Sequence, residues 1–195
     1  ATEKMVQALE VYPLWLLFLA HEHPTKIWIL DRGEKLSTAA ILDEAVRQKR
    51  WHSHQITIDE CEGLTEVVGN YIAIVVSWRT LLVMRHEFAH AVTTFFSAET
   101  RAHLRTLYQQ ALERDRFTEQ LARESIGEYI ACGISYYFFP DLRAELAATD
   151  AALYQLVELM LQQAEAVSAQ LVPAVEPGRV MRCASASDKS LPDRV

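Results

Sequence analysis

In Met84-Arg85-His86-Glu87-Phe88-Ala89-His90-Ala91-Val92, two histidines stand four residues apart with a glutamate directly after the first. On an α-helix, positions four apart lie one above the other, so His86 and His90 can aim imidazole nitrogens at a single point. Glu87, three residues before His90, falls on the same side. A metal ion held by the imidazoles would lower the pKa of a bound water toward neutrality, and Glu87 could take that water's proton as a general base. The flanking residues Val83, Met84, Phe88, Ala89, Ala91 and Val92 are apolar. They would carry the polar trio into a core, where unpaired imidazoles and a carboxylate are costly. The competing reading is a buried helix that happens to carry two satisfied histidines.

A catalytic zinc site takes three protein ligands and keeps the fourth position for water. No third histidine follows at the H-E-x-x-H-x-x-G-x-x-H spacing, because Phe96 stands where it would fall. A downstream glutamate is therefore the candidate. Glu124 and Glu128, in "ARESIGEYIACGISYYFFPD", are four apart and hence expected on one helical face, one ligating and the other supporting.

The H-E-x-x-H pattern is the zincin arrangement, and two resemblances assign the glutamates differently. "ESIGEY" at 124–129 resembles the N-E-x-x-S-D and E-G-x-A-E-Y segments of thermolysin-like and aminopeptidase gluzincins. That register implies Glu124 as the zinc ligand and Glu128 as the acid that braces a ligating histidine. The longer match is "HEFAHAV" followed by "EYIACGISYYFFPDLRAEL" and "DAALYQLVELM", which is similar to the anthrax lethal-factor-like group of zinc peptidases. It covers about Met84 to Met160 and implies Glu128 as the ligand, with Glu124 in support, Zn2+ as the cofactor and a peptide or protein as the substrate. Two departures accompany it. The group carries a tyrosine seven residues before its ligand to stabilise the oxyanion, where this chain has Leu121. It also carries an acid four residues after the ligand, where this chain has Cys132. Tyr108, Tyr136, Arg116, Arg123 and His103 are candidates to replace the tyrosine, and the rival expectation is a weak or inactive domain kept for metal or protein binding.

The elements that must position these residues follow from patterning. Residues 3–21 read as an apolar helix with Pro13 near its start or at a kink, and "KIWIL" at 26–30 as a buried strand. "STAAILDEAVRQKRW" reads as a helix with Ser37 as its N-cap, and "HSHQITIDE" as a half-exposed strand, the candidate edge for an extended substrate. From Leu64 to Phe96 the chain is helix-compatible almost throughout, and helices are expected at about 98–115, 119–138 and 147–169. The expected fold is α+β, mostly helical: a zincin-like domain over residues 1–171, with a small sheet packed on the central H-E-x-x-H helix and a second helix bearing the third ligand. Residues 172–195, rich in Pro and Ser and without periodicity, read as a mobile or surface-draped tail.

Other histidines carry less. His52 and His54 share a face of the expected strand but lack a third ligand at a convincing spacing, and His21 and His23 flank Glu22 at a helix end, where histidines suit the negative dipole. The aromatic run Tyr136–Phe139 reads as the core-facing end of the ligand helix.

With 195 residues, half of them apolar, the chain can bury one real core. Its formal charge of −7, from 26 acidic and 19 basic residues without a basic stripe, speaks against nucleic acid as a partner. The apolar run Val11–Ala20 is about half the roughly twenty residues a membrane span needs. Three scattered cysteines, Cys61, Cys132 and Cys183, suit a reducing compartment without requiring one, and the opening "ATEK" is compatible with a secreted or excised piece of something longer. Oligomeric state is left open by these patterns.

Overall fold

The computed structural model describes residues 2–51, 56–77 and 80–171. The fold is α+β and mostly helical, with one three-stranded sheet. Helices α1 (Thr2–Leu9) and α2 (Leu14–Glu22) are separate elements, broken at Pro13, whose ring cannot continue the ladder. Strand β1 (Thr25–Leu30) follows as expected and pairs in parallel with β5 (Tyr71–Ser77), which pairs antiparallel with β4 (Gly63–Val68). The order is β1-β5-β4, so β4 forms an edge.

The sheet corrects the expectation of unbroken helix from Leu64 onward. Ile72, Ile74 and Val76 pack toward the helices, whereas Ala73 and Val75 face a second cluster with Leu36, Leu42, Val46 and Leu64. A central strand buried on both faces has no polar alternation, and its apolar run imitates a buried helix. β-Branched residues in that run and the two-residue turn Gly69-Asn70 favour the hairpin; Gly69 has φ +59°, the left-handed conformation such turns require.

Two neighbouring expectations also change. In place of a helix across "STAAILDEAVRQKRW" there is a 3-10 turn at Leu36–Thr38 and a short helix, α3 (Glu44–Gln48). Its N-cap is Asp43, whose Oδ1 accepts from Val46 N at 2.9 Å, whereas Ser37 N donates to Asp59. Of the proposed edge strand "HSHQITIDE", residues 52–55 lie outside the described residues, and Ile56–Thr57 form β3, paired with β2 (Arg50–Trp51) outside the main sheet. Glu60 folds back on Thr57, accepting from its backbone N–H at 2.6 Å and its hydroxyl at 2.7 Å, and this capping box turns Ile58–Glu60 into a 3-10 helix. His52 and His54 lie outside the described residues, as does the tail from 172.

Helix α4 (Leu81–Thr93) carries both histidines and lies on the helical side of the sheet. Thr80 caps it, accepting from Val83 N, and Met84, Phe88, Ala89 and Val92 are fully buried. Each of the larger ones contributes roughly 1.5–3 kcal/mol by leaving water. The remaining helices are α5 (Ala98–Arg114), α6 (Ile126–Tyr137), α7 (Pro140–Thr149) and α8 (Ala151–Leu171). The expected helix at 119–138 begins only at Ile126, since Ser125 is extended (φ −158°) and its Oγ caps Glu128 N at 3.1 Å. α7 was not anticipated; Pro140 at its first turn restarts the helix after Phe139.

Buried polar contacts tie the helices together. Arg85 donates to the carbonyls of Ala8 and Phe138 and lies over the Phe139 ring, while Tyr12 Oη donates to Arg85 O at 2.7 Å. Asp150 does two jobs: Oδ2 accepts from the Tyr129 hydroxyl, and Oδ1 caps α8 by accepting from Leu153 N at 3.0 Å. Asp150→Ala removes a cap and leaves a buried hydroxyl unpartnered, so chemical denaturation should show stability reduced by about 2–3 kcal/mol. A loss below about 0.5 kcal/mol would contradict this role.

Candidate metal centre

α4 and α6 cross so that one turn of each faces the other. On α4, the His86 and His90 rings meet edge to face, with centroids 4.7 Å apart and planes at 82°. The start of α6 presents Glu128 to both. His86 Nε2 lies 3.0 Å from Glu128 Oε2 and 3.0 Å from His90 Nε2, and His90 Nε2 lies 3.3 Å from Glu128 Oε2. These atoms form a group that could hold a metal ion. At metal–ligand distances of about 2.0–2.2 Å, the edges of a tetrahedral zinc site are about 3.3–3.5 Å, so the separations suit three vertices with slight opening. The donor set, two imidazoles and a carboxylate, also suits zinc.

Glu124 does not join this group. Because Ser125 breaks the helix, Glu124 falls before the first turn of α6, and the two acids do not share the helical face expected of them. Ser125-Ile126-Gly127-Glu128 carries the S-x-x-E pattern of a helix start, a signal that separates them already in the sequence.

Glu87 sits beside the trio on α4 and is 7 % exposed. The Thr65 hydroxyl, on β4, is 2.7 Å from the Glu87 carbonyl oxygen and 2.8 Å from its Oε2, so the edge strand pins both the backbone and the carboxylate. Burial raises the Glu87 pKa above the usual carboxylate range, opposed by His90, His86 and the Thr65 hydrogen bond. For Glu128 the balance reverses. Burial pushes upward, but hydrogen bonds to His86 and His90 outweigh it and hold the carboxyl well below its ordinary value. Two neighbouring carboxyls are thereby driven apart, Glu128 toward the ionised form and Glu87 toward the protonated one. His90, despite burial, is raised by its hydrogen bond to Glu128 and by the charges of Glu87 and Glu128.

The group opens into a cleft of about 560 Å³ whose walls include Gly63, Leu64 and Thr65 of β4, Leu82 and Val83 of α4, and Leu121. Leu121 thus presents a methyl-bearing wall at the position where the resemblance implies a tyrosine. None of Tyr108, Tyr136, Arg116, Arg123 or His103 lines the cleft. Tyr108 donates to Arg123 O, Arg123 pairs with Asp115, Tyr136 is buried, and Arg116 and His103 are exposed. Cys61 also borders the cleft, but burial and the charges of Glu87, Glu60 and Glu128 push its thiol up to about 11, away from a neutral-pH thiolate. His21 and His23 lie exposed at the end of α2, with His23 stacked on Phe95.

Thr65, Gly63 and Glu119 border the cleft without having been singled out in the sequence. They reach the cleft through contacts between separate elements that no local pattern encodes. Among the described residues, no helix is long and apolar enough to cross a membrane. Compared with models of known protein families and with curated proteins, the chain matches none.

Proposed function

We propose that this chain is a zinc-dependent metallopeptidase that hydrolyses peptide bonds. The reading is carried by one observation: His86 Nε2, His90 Nε2 and Glu128 Oε2 converge at separations close to tetrahedral edges, beside a buried carboxylate that is not one of the three. The resemblance of residues 84–160 to lethal-factor-like peptidases supports Glu128 as the third ligand. Zinc held by these atoms would polarise a carbonyl and acidify a water at its open position. Glu87 would take the proton from the attacking water and return it to the leaving amine. Thr65 holds one Glu87 oxygen, so the carboxylate is oriented before substrate arrives. β4 has no strand partner on its outer side among the described residues, so its free edge can hydrogen-bond an extended substrate whose scissile bond then lies over the cleft.

Gly63 serves the same geometry. A methyl group there would lie 2.5 Å from Glu87 Cγ and 2.6 Å from its Oε1. Gly63→Ala should displace the carboxylate and lower turnover by about a hundredfold, with zinc content unchanged. Steady-state kinetics alongside elemental analysis checks this, and a variant as active as the parent would refute the need for a bare backbone at 63.

A second reading, a metal-binding or protein-interaction module without turnover, is favoured by Leu121 and by the lack of a tyrosine or cation among the described cleft residues. One experiment separates the two. The purified protein is assayed on an unfolded protein substrate and a peptide library, as isolated, after chelation and after zinc is restored. Cleavage that disappears and returns with zinc is expected; zinc bound at one per chain with no cleavage of any substrate would establish the second reading.

A further inference from the structure

A histidine that ligates through Nε2 carries its proton on Nδ1, and that rear nitrogen needs an acceptor if the ring is to hold its angle. For His86 the neighbour at Nδ1 is the thiol of Cys132, with Sγ at 3.9 Å, a long contact typical of sulfur. Cys132 is one helical turn after Glu128, fully buried, and therefore on the face of α6 that meets α4. Glu119, from the irregular segment between α5 and the 3-10 turn at Leu121–Arg123, lines the same cleft as His86 and is within reach of the thiol as a hydrogen-bond partner. The Tyr136 hydroxyl, one turn further along α6, is within reach of the same carboxylate. A thiol has one proton to give and lone pairs to accept with, so it can stand between a ring N–H and a carboxylate.

We propose that Cys132 and Glu119 are the positioning pair of His86: Nδ1–H donates to Sγ, S–H donates to the Glu119 carboxylate, and Nε2 is left aimed at the point shared with His90 and Glu128. The proposal rests on the metal reading above. It assigns a role to the residue at which the chain departs from an acid, since the carboxylate contact reaches the histidine through sulfur and comes from a different segment. An alanine at 132 would leave the ring N–H facing an apolar wall and Glu119 without its thiol partner.

The test compares zinc affinity, by competition with a chromophoric chelator, in the parent, Cys132→Ser, Cys132→Ala and Glu119→Ala, with thermal unfolding of the metal-free forms beside it. Serine keeps a donor and an acceptor, but on a shorter bond than the thiol, so Cys132→Ser should fall between the parent and Cys132→Ala, which weakens zinc binding by roughly ten- to a hundredfold. The two metal-free proteins should unfold at similar temperatures, because each loses nearly the same volume. Glu119→Ala should fold normally, weaken zinc binding in the same direction and lose the slowly exchanging His86 Nδ1 proton that NMR should show in the zinc-loaded parent. That variant carries the test alone if Cys132→Ala does not fold. Equal affinities for the serine and alanine variants, or an unaltered Nδ1 proton in Glu119→Ala, would overturn the pair while leaving the metal centre standing. A parent that binds no zinc would overturn both.

Discussion

Glu128→Ala should lose zinc at a chelator concentration that the parent withstands, and Glu124→Ala should not. Glu128 Oε2 lies 3.0 and 3.3 Å from the two histidine nitrogens, whereas Glu124 falls before the Ser125 cap and outside the group. Removing one of three protein ligands leaves two imidazoles on a single helix, which give an ion little geometric hold. The affinity loss should therefore exceed the roughly ten- to hundredfold expected when a supporting residue is removed. His86→Ala and His90→Ala should match Glu128→Ala. Isothermal titration with zinc ranks the variants, and a Glu124→Ala variant weaker than Glu128→Ala would reverse the assignment.

The second large effect concerns Glu87. Glu87→Gln keeps the size of the side chain and an oxygen for Thr65, but it cannot take a proton from water. Turnover on an unfolded substrate should fall by about 10²–10⁴-fold, the usual contribution of a positioned general base, while zinc stoichiometry stays at the parent level. KM should change little if the carboxylate acts mainly in the transition state. Activity within a few-fold of the parent would remove Glu87 from the mechanism. Joint loss of zinc would instead make it part of the ligand environment.

What could be read in the chain differs from residue to residue, for physical reasons. The spacing of His86, Glu87 and His90 is a helical pattern, and α4 does place the three on one side of the cleft. β1 was legible in "KIWIL" because Asp31 and Gly33 end it sharply. β5 was not, because its two faces enter two different cores: Ile72, Ile74 and Val76 one, Ala73 and Val75 the other. With no polar side left, periodicity could not tell strand from helix, and β4, an edge of the three-stranded sheet, was hidden in the same apolar stretch. The start of α6 was obscured in a related way. Glu124 and Glu128 have the spacing of a shared face, and only the Ser125 cap between them shows that one lies outside the helix. Thr65, 22 residues from Glu87 in the chain, and Glu119, on an irregular segment, reach the site through tertiary packing alone.

The most direct test of the metal centre is a crystal structure of the zinc-loaded protein with diffraction recorded on both sides of the zinc absorption edge. The account predicts one anomalous peak per chain at about 2.0–2.2 Å from His86 Nε2, His90 Nε2 and Glu128 Oε2, with Glu87 close by but outside bonding distance. No peak between α4 and α6, or a peak ligated by Glu124 in place of Glu128, would contradict it.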